Sequence, residues 1–113
     1  MTMDVSYKVL GDAIIIDLQG DLFIGNLTEL DIIWDEVMSE NPSTVACDCS
    51  KIDFIDSSAI GTFVKYLNNS SRMGIDLVFL DLSENILKVF ETARLDRMFK
   101  IVSRSDFEKK HGI

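Results

Sequence analysis

Apolar and polar positions along this chain switch between two periods, and the switching predicts its elements. Val5 to Leu10 and Ala13 to Leu18 are strand-like, and the Gly11-Asp12 pair between them suits a two-residue hairpin turn with glycine first. The chain therefore opens antiparallel. A loop follows Gly20. Asn26-Leu27-Thr28-Glu29 then has the form of a capping box, and Leu27, Leu30, Ile33, Trp34, Val37 and Met38 recur at helical spacing until the helix stops before Pro42. Thr44 to Cys49 reads as a short central strand. A second helix begins near Ser57, with Ile60, Phe63, Val64 and Leu67 on one face and Gly74 as its stop. Asp76 to Leu80 is the next strand, Ser83 to Thr92 a third helix carrying Ile86, Leu87, Val89, Phe90 and Ala93, and Lys100 to Val102 the last strand. Ser105-Asp106-Phe107-Glu108 forms another capping box, which starts a short terminal helix.

Strand, helix, strand, helix, strand from residue 44 onward implies parallel pairing through crossovers, joined to the opening hairpin. The expected class is α/β, with a mixed, mostly parallel β-sheet, an N-terminal antiparallel hairpin and three to four helices. At 113 residues, 47% of them hydrophobic, the chain suffices for one core, so residues 1–113 are read as one domain.

Charge narrows the partners. Residues 1–50 hold one basic and ten acidic side chains, and residues 51–113 hold ten basic and nine acidic, so −9 and +1 make the net −8. An acidic first half argues against direct nucleic-acid contact and against anionic membrane surfaces, both of which rely on clustered Lys and Arg. It is a solvated face or a docking surface for a basic partner. No apolar run approaches the ~20 residues of a membrane-spanning helix, and Met1-Thr2-Met3-Asp4 lacks the basic and apolar regions of a signal peptide. A cytoplasmic protein without membrane insertion is expected. Cys47 and Cys49, two apart on a strand, point the same way; they suit reduced core thiols better than a disulfide or zinc site.

Catalytic signatures are missing from the sequence: there is no phosphate loop, dinucleotide fingerprint, nucleophile elbow or zinc-protease motif. The single histidine, His111, is three residues from the end. A binding protein rather than an enzyme is expected, with no cofactor of its own. The rival class is a small ligand-binding or catalytic domain using the loops after Gly20 and Phe54.

The segment Lys51-Ile52-Asp53-Phe54-Ile55-Asp56-Ser57-Ser58-Ala59-Ile60-Gly61 joins the central strand to the second helix. Its Asp and Ser oxygens are natural N-caps. A phosphoryl group there would meet free backbone amides and the positive end of the helix dipole, but also the nearby Asp53 and Asp56.

Asp56-Ser57-Ser58-Ala59-Ile60-Gly61, preceded by the strand Val45 to Cys49 and by Phe54-Ile55, resembles the D-S-S-G-[LI]-G signature of STAS-domain anti-sigma-factor antagonists. Gly20-Asp21-Leu22 and the later Val89-Phe90-Glu91, Leu95 and Phe99-Lys100-Ile101 extend the resemblance over nearly the whole chain. It implies a single STAS-like domain that binds an anti-sigma factor with serine-kinase activity, so that a sigma factor is released. Phosphorylation of Ser57 would switch binding off, and a PP2C-type phosphatase would restore it. The kinase would supply ATP and magnesium. The resemblance assigns partner docking to Asp21, Phe23, Asp53, Asp56, Ser57, Ser58, Ala59 and Gly61. Driving such a switch from 1:99 to 99:1 requires about 5.5 kcal/mol of differential affinity. Two positions depart from the pattern: Ala59 stands where glycine is usual and Phe23 where aspartate is common. Both are expected near the docking surface, although Phe23 could equally pack into the core. The alternative within the family is an unphosphorylated scaffold in a regulatory or membrane-associated complex, whose serines only cap the helix.

Overall fold

The Gly11-Asp12 turn closes the hairpin as its residues predict. In a computed structural model of the protein, which describes residues 3–112, β1 (Met3–Leu10) pairs antiparallel with β2 (Ala13–Leu22), and Leu10 faces Ala13 across the turn. Gly11 takes φ +66°, which costs a glycine little. Met1 and Thr2, half of the stretch read against a signal peptide, and Ile113 lie outside the described residues.

The remaining elements follow in the expected order: α1 (Leu27–Ser39), β3 (Thr44–Ile55), α2 (Ser57–Arg72), β4 (Asp76–Leu80), α3 (Glu84–Thr92), β5 (Lys100–Val102) and α4 (Arg104–His111). The sheet runs β1-β2-β3-β4-β5, with every pairing after the first parallel. The expected α/β class with a mixed, mostly parallel sheet is the one observed.

Both faces of the sheet are covered, but unequally. Ile14, Ile16, Val45, Cys47 and Phe79 point into the larger core, where they meet Leu30 and Trp34 of α1, Phe63 and Tyr66 of α2, and Phe90 of α3. Ala13, Ile15, Ala46, Val78 and Leu80, the alternate positions, meet Phe107 of α4 on the other face. This is the period of two at work. Cys47 and Cys49 are free and buried in the larger core, where burial pushes the Cys47 thiol up to about 12. Among the described residues no helix is long and apolar enough to cross a membrane.

Several local expectations are corrected. β3 continues six residues past Cys49, and β2 continues past Leu18 to Leu22. The β2–β3 register slips between Asp17 and Gln19 and again between Gly20 and Asp21, each time with one extra residue on β3. These bulges break the alternation, leaving Ile52 and Ile55 buried at a spacing of three, so the segment does not read as a strand. On α2 the buried stripe is Ala59, Phe63, Tyr66 and Ser70, whereas Ile60, Val64 and Leu67 are only partly buried. Tyr66 belongs inside because its ring stacks on Trp34 at 4.1 Å and its hydroxyl donates to Asp31 of α1. α4 is capped two residues earlier than its capping box suggests: Ser103 Oγ accepts from Asp106 N at 3.0 Å.

A further correction concerns Asn26, whose side chain makes no cap hydrogen bond. It braces the preceding loop instead, donating from Nδ2 to the Asp21 carbonyl and accepting from Phe23 N at 3.1 Å. An Asx side chain offered both a helix amide and a loop amide takes the one the loop conformation presents.

Candidate functional site: the head of helix α2

The parallel pairing of β2 with β3 brings both strand ends to one edge of the molecule, and the site is built there. Asp56 N donates to the Leu22 carbonyl at 3.1 Å, closing the two strands together. The next residue, Ser57, begins α2. Asp56 is the N-cap: its Oδ1 accepts from Ala59 N at 3.0 Å, and its Oδ2 accepts from Ile24 N at 3.2 Å. One carboxylate thus satisfies an orphan helix amide and anchors the β2–α1 loop 32 residues earlier.

This double role carries a measurable consequence. Asp56→Ala is expected to cost about 1–2 kcal/mol in urea unfolding, the range for a lost N-cap, and to speed hydrogen exchange at the Ile24 amide. Asp56→Asn keeps one acceptor oxygen, so it falls between the two. If exchange at Ile24 is unchanged in Asp56→Ala, the loop is held by Asn26 alone.

The residues assigned to docking divide into groups. Ser57 and Asp53 are exposed, Ser58, Asp56 and Asp21 are half-buried, and Asp21 pairs with Phe54 across the strand ends. Phe23 is also half-buried, and its ring lies over Gly25 so closely that a Cβ there would come within 2.7 Å of Phe23 Cε2. The aromatic ring where aspartate is common therefore packs on its own loop, which needs a glycine beneath it. Gly61 is exposed on α2, and an added Cβ would meet nothing within 4 Å.

Ala59 is corrected outright. It is fully buried and its methyl lies in the larger core, so its side chain is not part of the surface at this edge. The extra carbon relative to glycine is absorbed inside the protein, where it also favours the helix.

Other residues, outside the set assigned to docking, join this edge. Ile24 is 75% exposed and Phe54 49%, both large apolar side chains next to the Asp56 anchor. Between α2 and α3 runs an open groove of about 450 Å³, where Ile55, Ile60, Val89 and Ala93 lie beside Ser57 and Lys88. The helical periodicity of α3 places Val89 and Ala93 among its apolar residues. Only packing shows that Ile86 and Phe90 fill the core while Val89, 38% exposed, faces the groove. A hydroxyl at the rim of an apolar groove, with carboxylates around it, suits a contact surface whose polarity one modification would change.

Known proteins share this fold. Protein TM1081 of Thermotoga maritima superimposes with a TM-score of 0.83 at 24% identity, over 96% of this chain and 95% of that one. The anti-sigma factor antagonist SpoIIAA in its unphosphorylated form gives 0.75 at 16% identity, over 97% and 98%. The phosphorylated form, from Bacillus, gives 0.72 at 15% identity, over 96% and 98%. These similarities concern the fold. The sequence pattern of the STAS domain matches residues 4–107, and the chain belongs to the STAS domain family.

Proposed function

We propose that this chain is an anti-sigma-factor antagonist switched by phosphorylation of Ser57. Unphosphorylated, it binds an anti-sigma factor with serine-kinase activity and so releases a sigma factor; it catalyses no reaction itself and works in the cytoplasm. The observation that carries this reading is the exposed Ser57 at the head of α2, on the rim of an apolar groove and near the exposed Ile24 and Phe54. Apolar surface of this kind gains from docking. The likeness of the fold to SpoIIAA, solved in both unphosphorylated and phosphorylated forms, supports the same reading.

In the modification, Ser57 Oγ attacks the γ-phosphorus of ATP held by the kinase. The Oγ–P bond forms, the bond from that phosphorus to ADP breaks, and the hydroxyl proton leaves. The serine then carries about −1.5 to −2 charges, which must be stripped of water if the partner docks over it. A PP2C-type phosphatase reverses the change by hydrolysis.

Intact-mass measurement and peptide mapping test this after incubation with ATP, magnesium and an extract of the source cells. One added phosphoryl group on Ser57, absent in Ser57→Ala, is expected. If the extract phosphorylates other proteins and leaves Ser57 unmodified, the domain is an unphosphorylated scaffold instead.

A further inference from the structure

We propose that Lys88 of α3 is the internal counter-ion of a phosphate on Ser57, and that their ion pair closes the apolar groove between α2 and α3. The proposal rests on the phosphorylation reading above and adds how the phosphate excludes a partner. Ser57 and Lys88 line the same groove, from α2 and α3 respectively, and Lys88 is the one cationic side chain lining it among the described residues. No ion pair among the described residues involves Lys88; Glu84, one turn earlier on α3, is not within bridging distance. The ammonium is therefore available, and its flexible four-carbon stem can follow a new charge.

The surroundings favour this pairing. Asp56, half-buried, adjoins Ser57 and Asp53 is exposed four residues earlier, so a cation adds to the helix dipole in offsetting their repulsion of a dianionic phosphate. The Asp56 oxygens already accept from two backbone amides, which leaves that carboxylate a poor competitor for the lysine. Once drawn to the phosphate, Lys88 lays its stem and charge across the groove that Ile60 and Val89 help to line. The apolar groove then becomes polar and partly filled. Phosphorylation would act through an internal contact as well as through repulsion of the partner.

The test uses the full chain with phosphoserine installed at position 57 during translation, and reads the second ionisation of the phosphate by 31P NMR. That ionisation ordinarily lies near pH 6. It is expected below that value in the otherwise unaltered chain, about half a unit higher in Lys88→Met, and restored in Lys88→Arg. Methyl resonances of Ile60 and Val89 are expected to shift on phosphorylation with Lys88 or Arg present, and to stay near their unphosphorylated positions with Met. An ionisation that is the same with Lys88 and with Met overturns the proposal. Because the phosphate is installed directly, that result would strike Lys88 alone, whereas an unmodified Ser57 in the cell extract would strike the phosphorylation reading alone.

Discussion

Phe79→Ala is expected to destabilise the domain by about 3–5 kcal/mol, the cost of removing a large aromatic ring from a core that cannot collapse around the hole. Phe79 on β4 is fully buried. Its ring centroid lies 4.8 Å from that of Phe99, 5.0 Å from Phe63 and 5.8 Å from Phe90, so it joins the sheet to α2, to α3 and to the segment before β5. Edge-to-face pairs add to the area effect, and deleting the central ring removes several at once. Small domains keep only about 5–15 kcal/mol in all, so the variant sits close to unfolding, with Tm lower by on the order of 15 °C. Phe79→Leu retains most of the volume and is expected to lose about 1.5 kcal/mol or less. Thermal melts of the two variants check this. A loss below about 1 kcal/mol for alanine would mean that Phe63, Phe90 and Phe99 close the cavity between them. The damage also reaches the groove beside Ser57, because Phe90 anchors the helix that presents Lys88 and Val89.

Arg104→Met is expected to cost about 1–3 kcal/mol and to make the domain more acid-sensitive. Arg104, the first residue of α4, reaches to the sheet, with Nη1 2.7 Å from Asp48 and 3.1 Å from Asp17; Nε lies 3.8 Å from Glu108 on its own helix. Breaking a fully buried pair costs about 3–5 kcal/mol by stranding a charge. Here the Arg104 side chain is 27% exposed, so water screens part of the loss. Asp48 is the more deeply placed partner.

Burial pushes the Asp48 carboxyl up. Hydrogen bonds from Ser50 N at 2.9 Å and Ser50 Oγ at 2.7 Å, together with Arg104, outweigh that burial and hold it below its ordinary value. A carboxylate whose folded value is depressed stabilises the fold above its unfolded value, near pH 4, and that stability is lost as pH falls through the folded value. Removing Arg104 leaves burial opposed by Ser50 alone, so Asp48 protonates at higher pH and acid unfolding begins earlier. Acid titrations followed by circular dichroism compare the two proteins. Asp48→Asn in the Arg104→Met background is expected to recover part of the stability, since no charge is then stranded. If the acid midpoint does not move, Ser50 alone sets the Asp48 ionisation.

Much of the architecture follows from local pattern, and the reason is visible element by element. Where one residue decides a backbone state, the sequence speaks directly: Gly11 turns the hairpin and Gly74, at φ +70°, follows the end of α2. Where the pattern is unbroken it names the element: Ala13 to Leu18 is a near-continuous apolar run, as a strand buried on both faces requires, and the helical spacing of Leu27 to Met38 names its core face as well. The motif Asp56-Ser57-Ser58 likewise announces a helix head with an exposed hydroxyl, since capping is a short-range interaction.

Other features depended on residues far apart in the chain. The two bulges that lengthen β3 arise from its pairing with β2, and they place Asp53 and Phe54 at the strand end by breaking the alternation that sequence reading uses. Asn26 chose between two hydrogen-bonding roles only when the loop at Asp21 and Phe23 took shape around it. Ala59 points inward, and Tyr66 is buried, because of how α2 rolls against α1 and the sheet, an angle that tertiary packing sets. The meeting of Ser57 with Lys88 and Val89, 31 and 32 residues later, needed β4 to bring α3 alongside α2. Sequence by itself determined the element types and the exposed serine at the head of α2, because those depend on neighbours within one turn or one strand. Tertiary structure alone decided what surrounds that side chain, because long-range packing energies act between elements and leave no local period to read.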